Sequence, residues 1–504
     1  MSRHPSHAPP RPSPAARPAR TPLATLAASA TSTPRRALAA SALACLVSFA
    51  AFWIAQRAAG VTLIDLDVYR AEGWAVRTGR DLYDLRVGRY ELPATYPPFA
   101  ALLFIPLTWP GIEAARALVT AGNLLLVIAL VHLSLRLIGR RPRRAPLLAA
   151  SLAVAALAVW CEPVWTTLRY GQINLLLAVL VLWDLTRRPG HRWAGAGTGI
   201  AAGIKLTPAL FAVFLALVGA AVAVRRLRRG LPAWNDHLRR AAVAAAAFAG
   251  SVLLAALAAP RASRRFWTEV VFERDRAGDG ESTANQSLRG VLARALHTGD
   301  PGLWWAPPAL LVAAAGLAVA AAALLAGRRL PHAHAWAAVT CGVTALLISP
   351  VSWSHHWVWA VPLVMLLSAE ALARRDARPG ANAPTRAVAN AGARAVANAR
   401  PVAVANAPAD AGRWVAAAVG ATVVFCSFAL WFVPHDGSRP ELHQNAGQMA
   451  LSAIYPAAGL LFLALAATVT ARAWLRHPPP PVTAARARVP RQARRSLTGA
   501  GTRS

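Results

Sequence analysis

Acid is scarce in this chain of 504 residues. There are 21 Asp and Glu against 54 Lys and Arg, and only one of the bases, Lys205, is a lysine. Charged residues of both signs make up 15%, hydrophobic ones 56%, and the mean hydropathy is +0.40. A soluble protein of this length needs far more charged surface, so that class is excluded. The long apolar runs lack strand alternation; since lipid offers the backbone no hydrogen bonds, they read as helices rather than a barrel. Cysteine is rare too: Cys45, Cys161, Cys341 and Cys426 lie within or at the ends of apolar runs without metal-ligand spacing, and read as small packing residues. No Gly-rich phosphate loop is evident. The acids Glu269, Glu273, Asp275 and Asp279 lack EF-hand spacing and read as a solvated loop.

What is abundant is apolar sequence in lengths that cross a hydrocarbon core of ~30 Å. Spans are expected near 38–57, 114–138, 146–161, 173–186, 241–259, 306–326, 336–349, 355–370, 413–433 and 448–471. The stretch 194–224 exceeds one helix and is interrupted by Gly-Thr-Gly and by Thr207-Pro208, which predicts two short or broken helices. Segment 96–110, bounded by Tyr96-Pro97-Pro98 and Trp109-Pro110, reads as re-entrant or as a short span. The fold class is therefore all-α, a polytopic integral membrane helical bundle of about eleven to thirteen transmembrane or re-entrant helices.

The excess of arginine does not indicate nucleic acid. It is concentrated in the short links at 140–144, 187–188, 225–229 and 328–329 and in both tails, the distribution of a positive-inside topology. The tails, those links and 371–412 are expected in the cytoplasm; loops 58–95, 162–172, 260–305, 350–354 and 434–447 are expected outside a cell membrane. Residues 1–36 form a disordered basic tail, followed by a membrane catalytic core (37–371), a low-complexity linker (372–412) with Ala-Val-Ala-Asn repeats, C-terminal helices (413–472) and a second basic tail (473–504). The first apolar run starts late and is long, so it reads as an uncleaved anchor.

Polar residues recur at the outer ends of spans, all on one side of that topology. Asp65 and Asp67, beside Tyr69 and Arg70, follow the first span. On a helix the two carboxylates would point apart, and on an extended segment they would share a face. One could act as general base while the other orients Arg70 or a turn. Lys205 sits inside the broken apolar stretch, where a cation costs ~2.5–3.5 kcal/mol and marks a functional site. It lines a cavity, with a phosphate as its natural partner, or it snorkels to the nearer surface. Tyr96, Gln172 and Asn174 supply further polar groups, and the amides of Asn285 and Gln286 read as hydrogen-bond groups for a polar ligand. His355 and His356 stand among Trp353, Trp357 and Trp359. Adjacent histidines diverge on a helix and make a poor metal pair, but one could bind a phosphate or a sugar hydroxyl while the other packs. The tryptophans suit an interfacial belt or sugar stacking equally.

Six motifs in order carry a resemblance. Asp65-Leu66-x-Val68-Tyr69, Tyr96-Pro97-Pro98, Gly171-Gln172-x-Asn174, Lys205-Leu206-Thr207-Pro208, Asn285-Gln286-Ser287 and Ser349-Pro350…Ser354-His355-His356 resemble glycosyltransferase family 87 over roughly residues 38–370. These are actinobacterial polyprenol-phosphate-mannose-dependent α-(1→2)-mannosyltransferases of the GT-C fold. The resemblance implies a polyprenyl-phosphate sugar donor, a glycolipid or glycan acceptor and Asp65 as general base. The sugar would be mannose, with arabinose as the close alternative. Asp67 falls where members of the family vary, and the Ala-Val-Ala-Asn linker has no expected counterpart. No cofactor and no metal are implied. A transporter or flippase for a lipid-linked or anionic substrate is the rival class, since broken helices and an intramembrane lysine suit it. Against it stand the absence of an internal repeat and the clustering of polar groups at one face. A non-catalytic scaffold would leave Asp65 and Lys205 unexplained.

Overall fold

A computed structural model of the chain describes residues 34–139, 144–273, 276–376, 407–435 and 437–476. Most of both basic tails, the Ala-Val-Ala-Asn repeats, the arginines at 140, 141 and 143, and Asp275 lie outside the described residues. Within them every regular element is a helix, apart from two isolated β-bridges.

In chain order these are α1 (Pro34–Ala58), α2 (Ile64–Thr78), α3 (Pro98–Phe104), α4 (Ile112–Leu137), α5 (Arg144–Ala158), α6 (Glu162–Tyr170), α7 (Asn174–Leu185), α8 (Ala196–Ile204) and α9 (Ala209–Leu227). They continue as α10 (Asp236–Ala258), α11 (Pro260–Thr268), α12 (Leu288–Ala295), α13 (Ala306–Ala326), α14 (Ala333–Ile348), α15 (Ala360–Asp376), α16 (Ala407–Cys426), α17 (Ala446–Ser452) and α18 (Ile454–Arg476). Among the described residues, seven helices are long and apolar enough to cross a membrane: α1, α4, α9, α10, α13, α15 with its preceding turn, and α18. The pair α5–α6 is an eighth candidate, and four shorter apolar helices accompany them. The chain is a multi-pass, all-α membrane protein, and the helix number falls within the expected range.

Proline and glycine account for the breaks. The expected pair over 194–224 is α8 and α9, parted by an extended Lys205 (φ −149°) and by Pro208. Segment 96–110 is short, as expected, with Pro98 at the first helical position where its missing N–H costs nothing. The straight span expected over 146–161 is different. Helix α5 ends at Ala158 and the chain bends 79° into α6, whose second residue, Pro163, cannot continue the earlier helix. The run 448–471 likewise splits at Ala453, three residues before Pro456. The helix within 413–433 stops at Cys426, with Phe428 left-handed (φ 55°) before a short 3-10 turn.

Packing of the bundle fixes the ends of these short helices. An added Cβ at Gly199 would lie 2.2 Å from the Ala244 carbonyl, and one at Gly203 would lie 2.1 Å from Ser251 Oγ. Helix α8 therefore rests backbone to backbone on α10, and its end, where Lys205 emerges, is held by that contact. The main core contains Trp336, Trp357, Phe214 and Tyr455. A smaller cluster of Ala75, Leu82, Tyr83, Ala94, Ala101, Phe266 and Val270 packs the segment after α2 onto α11. Between the two clusters the polar residues meet.

Candidate active site

The segment after the first span folds as helix α2, with Asp65 and Asp67 in its first turn, where carboxylates favour the positive end of the helix dipole. That settles their directions. Asp67 turns away and lies 3.7 Å from Arg116. Arg70 also turns away, and its guanidinium donates to the carbonyls of Leu107 and Pro110. Asp65, Tyr69 and Glu72, spaced by four and three residues, share the opposite face and line a cavity of about 820 Å³.

Gly171 brings the second element of the site against this face. It caps α6 in the left-handed region (φ +73°), and a Cβ there would lie 3.2 Å from Cβ of both Leu63 and Leu66. Only a residue without a side chain can turn there and pass so close to α2. The next residue, Gln172, then donates from Nε2 to Asp65 Oδ2 at 2.7 Å. Its Oε1 accepts from Tyr69 Oη at 2.9 Å and from Tyr96 Oη at 3.1 Å. The amide is thereby locked in one orientation, with its NH2 toward the carboxylate.

The cationic side of the cavity is built from the helix break. Lys205 Nζ donates to Asn174 Oδ1 at 3.3 Å, lies 2.9 Å from His356 Nε2 and sits 5.3 Å from the centre of the Tyr96 ring. The backbone N–H of Trp353 donates to His356 Nδ1 at 3.2 Å, so this ring is held from both sides. His355 differs: its carbonyl accepts from Thr167 and Asn174, while its buried Nε2 has no partner. Both histidines line the cavity. The turn that carries them, Ser354–Trp359, is tied down by Glu162, which is fully buried. Its carboxylate accepts from Thr166 at 2.7 Å, Ser354 at 2.9 Å, Trp431 at 3.0 Å and Tyr455 at 2.8 Å.

Asp65, Tyr69, Tyr96, Gln172, Lys205, His355 and His356 thus line one cavity, and Asn174 stands directly behind Lys205. Asp67, Arg70, Asn285 and Gln286 do not line it. The Asn285 side chain accepts from the Ser352 N–H at 3.0 Å and donates to the Gly280 carbonyl at 2.9 Å. Gln286 donates to the carbonyls of Thr283 and Ser452 at 2.7 and 2.6 Å. These amides brace the loop that forms the wall. The sequence reading passed over Glu72 and Arg276, both in the lining, and Glu162 behind it, whereas Trp353, read as suited to a membrane belt or to sugar stacking, does line the cavity. A helical reading of 64–78 would have placed Glu72 on the face of Asp65. No group of three or more His, Cys, Asp or Glu positioned to hold a metal ion occurs among the described residues.

Burial raises the Asp65 carboxyl to about 6, although the Gln172 hydrogen bond and the Lys205 charge pull the other way. A carboxylate poised there can accept a proton from a hydroxyl near neutral pH.

Residues 94–350 match the model of glycosyltransferase family 87, about half of the chain. The chain belongs to that family. It is 34% identical over 351 residues to the polyprenol-phosphate-mannose-dependent α-(1→2)-phosphatidylinositol mannoside mannosyltransferase of Mycobacterium tuberculosis, covering 66% of this chain and 76% of the relative. A pentamannoside mannosyltransferase of the same dependence and species is 33% identical, over 70% of this chain and 76% of its own length. A looser likeness links it to crystalline ArnT from Cupriavidus metallidurans, bound to undecaprenyl phosphate. That match has a TM-score of 0.35 and 15% identity over 86% of this chain and 78% of ArnT, too distant to define the fold in detail. As a member of family 87 the chain is a glycosyltransferase, and the rival transporter class is set aside.

The close approach at Gly171 is testable against a glycine that shares its dihedrals but not its neighbours. Gly79 (φ +67°) has nothing within 4 Å of an added Cβ. Gly171→Ala and Gly79→Ala should both lower the melting temperature in detergent, each through ~1–2 kcal/mol of left-handed strain. Only Gly171→Ala should also lower glycosyl transfer, because it pushes Gln172 from Asp65.

Proposed function

We propose that this glycosyltransferase moves a mannosyl group from a polyprenyl-phosphate donor to a hydroxyl of a mannosylated glycolipid, forming an α-(1→2) linkage on the extracytoplasmic face. The observation that carries the reading is that one cavity holds an oriented carboxylate, Asp65, and a lysine, Lys205, that interact electrostatically across it. The relatives' names supply the sugar, the linkage and a phosphatidylinositol mannoside as the acceptor class.

In this mechanism Asp65 takes the proton from the acceptor hydroxyl. The oxygen forms its bond to the anomeric carbon as the carbon–oxygen bond to phosphate breaks, and the electron pair leaves with the polyprenyl phosphate. Charge growing on that phosphate is met by Lys205, held by Asn174. The unpartnered Nε2 of His355 is free to meet a phosphate or sugar oxygen. Gln172 keeps the carboxylate aimed, and the two tyrosines keep Gln172 aimed. A β-linked donor and an α product make this a single displacement with inversion. A phosphate monoester is already a good leaving group, so a base and a charge partner suffice.

The test is reconstitution of the full chain in proteoliposomes with labelled polyprenyl-phospho-mannose and a phosphatidylinositol mannoside. Asp65→Asn should lower turnover about 10²–10⁴-fold, the contribution of a positioned base. Undiminished transfer by that variant would remove the base assignment. Because the Asp65 pKa is raised to about 6, the reactive carboxylate is depleted as pH falls through that value. Wild-type kcat/KM should therefore fall tenfold per pH unit well below that value.

Sidedness has its own check. In a cysteine-free background, the exposed positions Arg89→Cys and Arg229→Cys should respond oppositely to a membrane-impermeant thiol reagent. Arg89→Cys should label on intact cells and Arg229→Cys only after permeabilisation. The reverse pattern would place the cavity on the cytoplasmic side.

A further inference from the structure

Glu72 lies on the cavity face of α2, seven residues beyond Asp65, and is 2% exposed. Its Oε1 is buried with no hydrogen-bond partner. Arg276, the cation whose charge acts on it, makes no ion pair with it among the described residues. Arg276 instead donates to the carbonyls of Ala94 and Tyr83 and to the Glu273 carboxylate at 2.8 Å. A buried carboxyl oxygen without a partner costs stability in the resting protein, a cost that a hydroxyl entering the cavity would offset. The transfer chemistry makes no use of it: one carboxylate, Asp65, takes the proton.

We propose that Glu72 is a sugar-reading residue, whose carboxyl hydrogen-bonds a hydroxyl of a hexose bound in the cavity. The inference rests on the glycosyl-transfer reading and adds to it the group that selects the sugar. Sugar hydroxyls both donate and accept, and a protonated carboxyl matches them with one O–H and one carbonyl oxygen. The surroundings favour that protonated form. Burial and the Asp65 charge raise Glu72 to about 8, against a smaller opposing effect of Arg276. The other titratable groups facing it are phenols: Tyr83 and Tyr96 from neighbouring segments and Tyr69 from its own helix. A site built to bond a hydroxyl discriminates strongly against an analogue that lacks it, because the protein group is left unpaired. The hydroxyl belongs either to the transferred sugar or to the acceptor sugar, and the two are separable by kinetics.

The experiment is steady-state kinetics of the reconstituted full chain with short-chain polyprenyl-phospho-mannose and a phosphatidylinositol mannoside, each also supplied as monodeoxy analogues. Glu72→Leu should raise KM for one of the two substrates about 10- to 100-fold, the consequence of a lost buried hydrogen bond. The analogue lacking the hydroxyl in question should be used equally well by wild type and Glu72→Leu; a deoxy donor or a deoxy acceptor that does so names the source. Glu72→Gln, which keeps a donor and an acceptor, should recover most of the loss. Wild-type KM for that substrate should rise above pH about 8 as Glu72 ionises, and Glu72→Gln should lack that component of the pH dependence. Unchanged KM values in Glu72→Leu would overturn the role and leave glycosyl transfer intact. Should Glu72→Leu fail to fold, identical pH dependence of KM in wild type and Glu72→Gln would overturn it as well. Absence of turnover by wild type from any polyprenyl-phosphate sugar would overturn the transfer reading, and this inference with it.

Discussion

One hydrogen bond, Gln172 Nε2 to Asp65 Oδ2 at 2.7 Å, is the interaction on which the rest of the site depends. A half-buried carboxylate beside an apolar bundle is free to rotate, to pair with any of the many arginines, or to stay protonated. Here it is denied the arginines: Arg116 goes to Asp67, and Arg70 to backbone carbonyls. A neutral amide holds it instead. Such a partner aims the oxygen without quenching its basicity as a guanidinium would. The amide is itself fixed by two phenols, and the approach of the two segments is permitted by a glycine. Backbone geometry, orientation and acidity are thus consequences of one contact.

The cationic side is organised in the same manner. Lys205 is the only lysine, and it emerges where α8 ends against α10 through glycine-mediated backbone contact. Its acceptor Asn174 is a neutral group that does not quench the lysine's charge. Glu162, accepting from four side chains drawn from α6, the histidine turn and the C-terminal segments, joins the late helices to the cavity wall. That link gives the C-terminal helices a structural reason to be part of the enzyme.

How much of this the sequence disclosed varies residue by residue. Asp65, Tyr96, Gln172, Lys205 and the histidine pair stood out because polar groups in so apolar a chain are expensive, and all line the cavity. The break at Lys205 was legible from Gly-Thr-Gly and Thr207-Pro208. The bend between α5 and α6 was not, because the apolar run masks a turn whose marker, Pro163, lies just past its end. Glu72 stayed hidden since the conformation after the first span was open between helix and extended chain, and only the helix aligns it with Asp65. Asn285 and Gln286 drew notice for the right chemistry, hydrogen bonding, yet their partners are backbone groups of the loop. Sequence shows that an amide needs partners but not which ones it finds.

The central claim is that a lipid-borne phosphate and an acceptor hydroxyl meet between Lys205 and Asp65. It is tested most directly by a structure of the protein with a non-transferable polyprenyl-phosphonate analogue of the donor and an acceptor glycolipid. The account predicts a phosphonate oxygen within hydrogen-bond reach of Lys205 Nζ and an acceptor hydroxyl within reach of Asp65, on the far side of the anomeric carbon. A headgroup bound elsewhere, or an acceptor hydroxyl remote from Asp65, would contradict it.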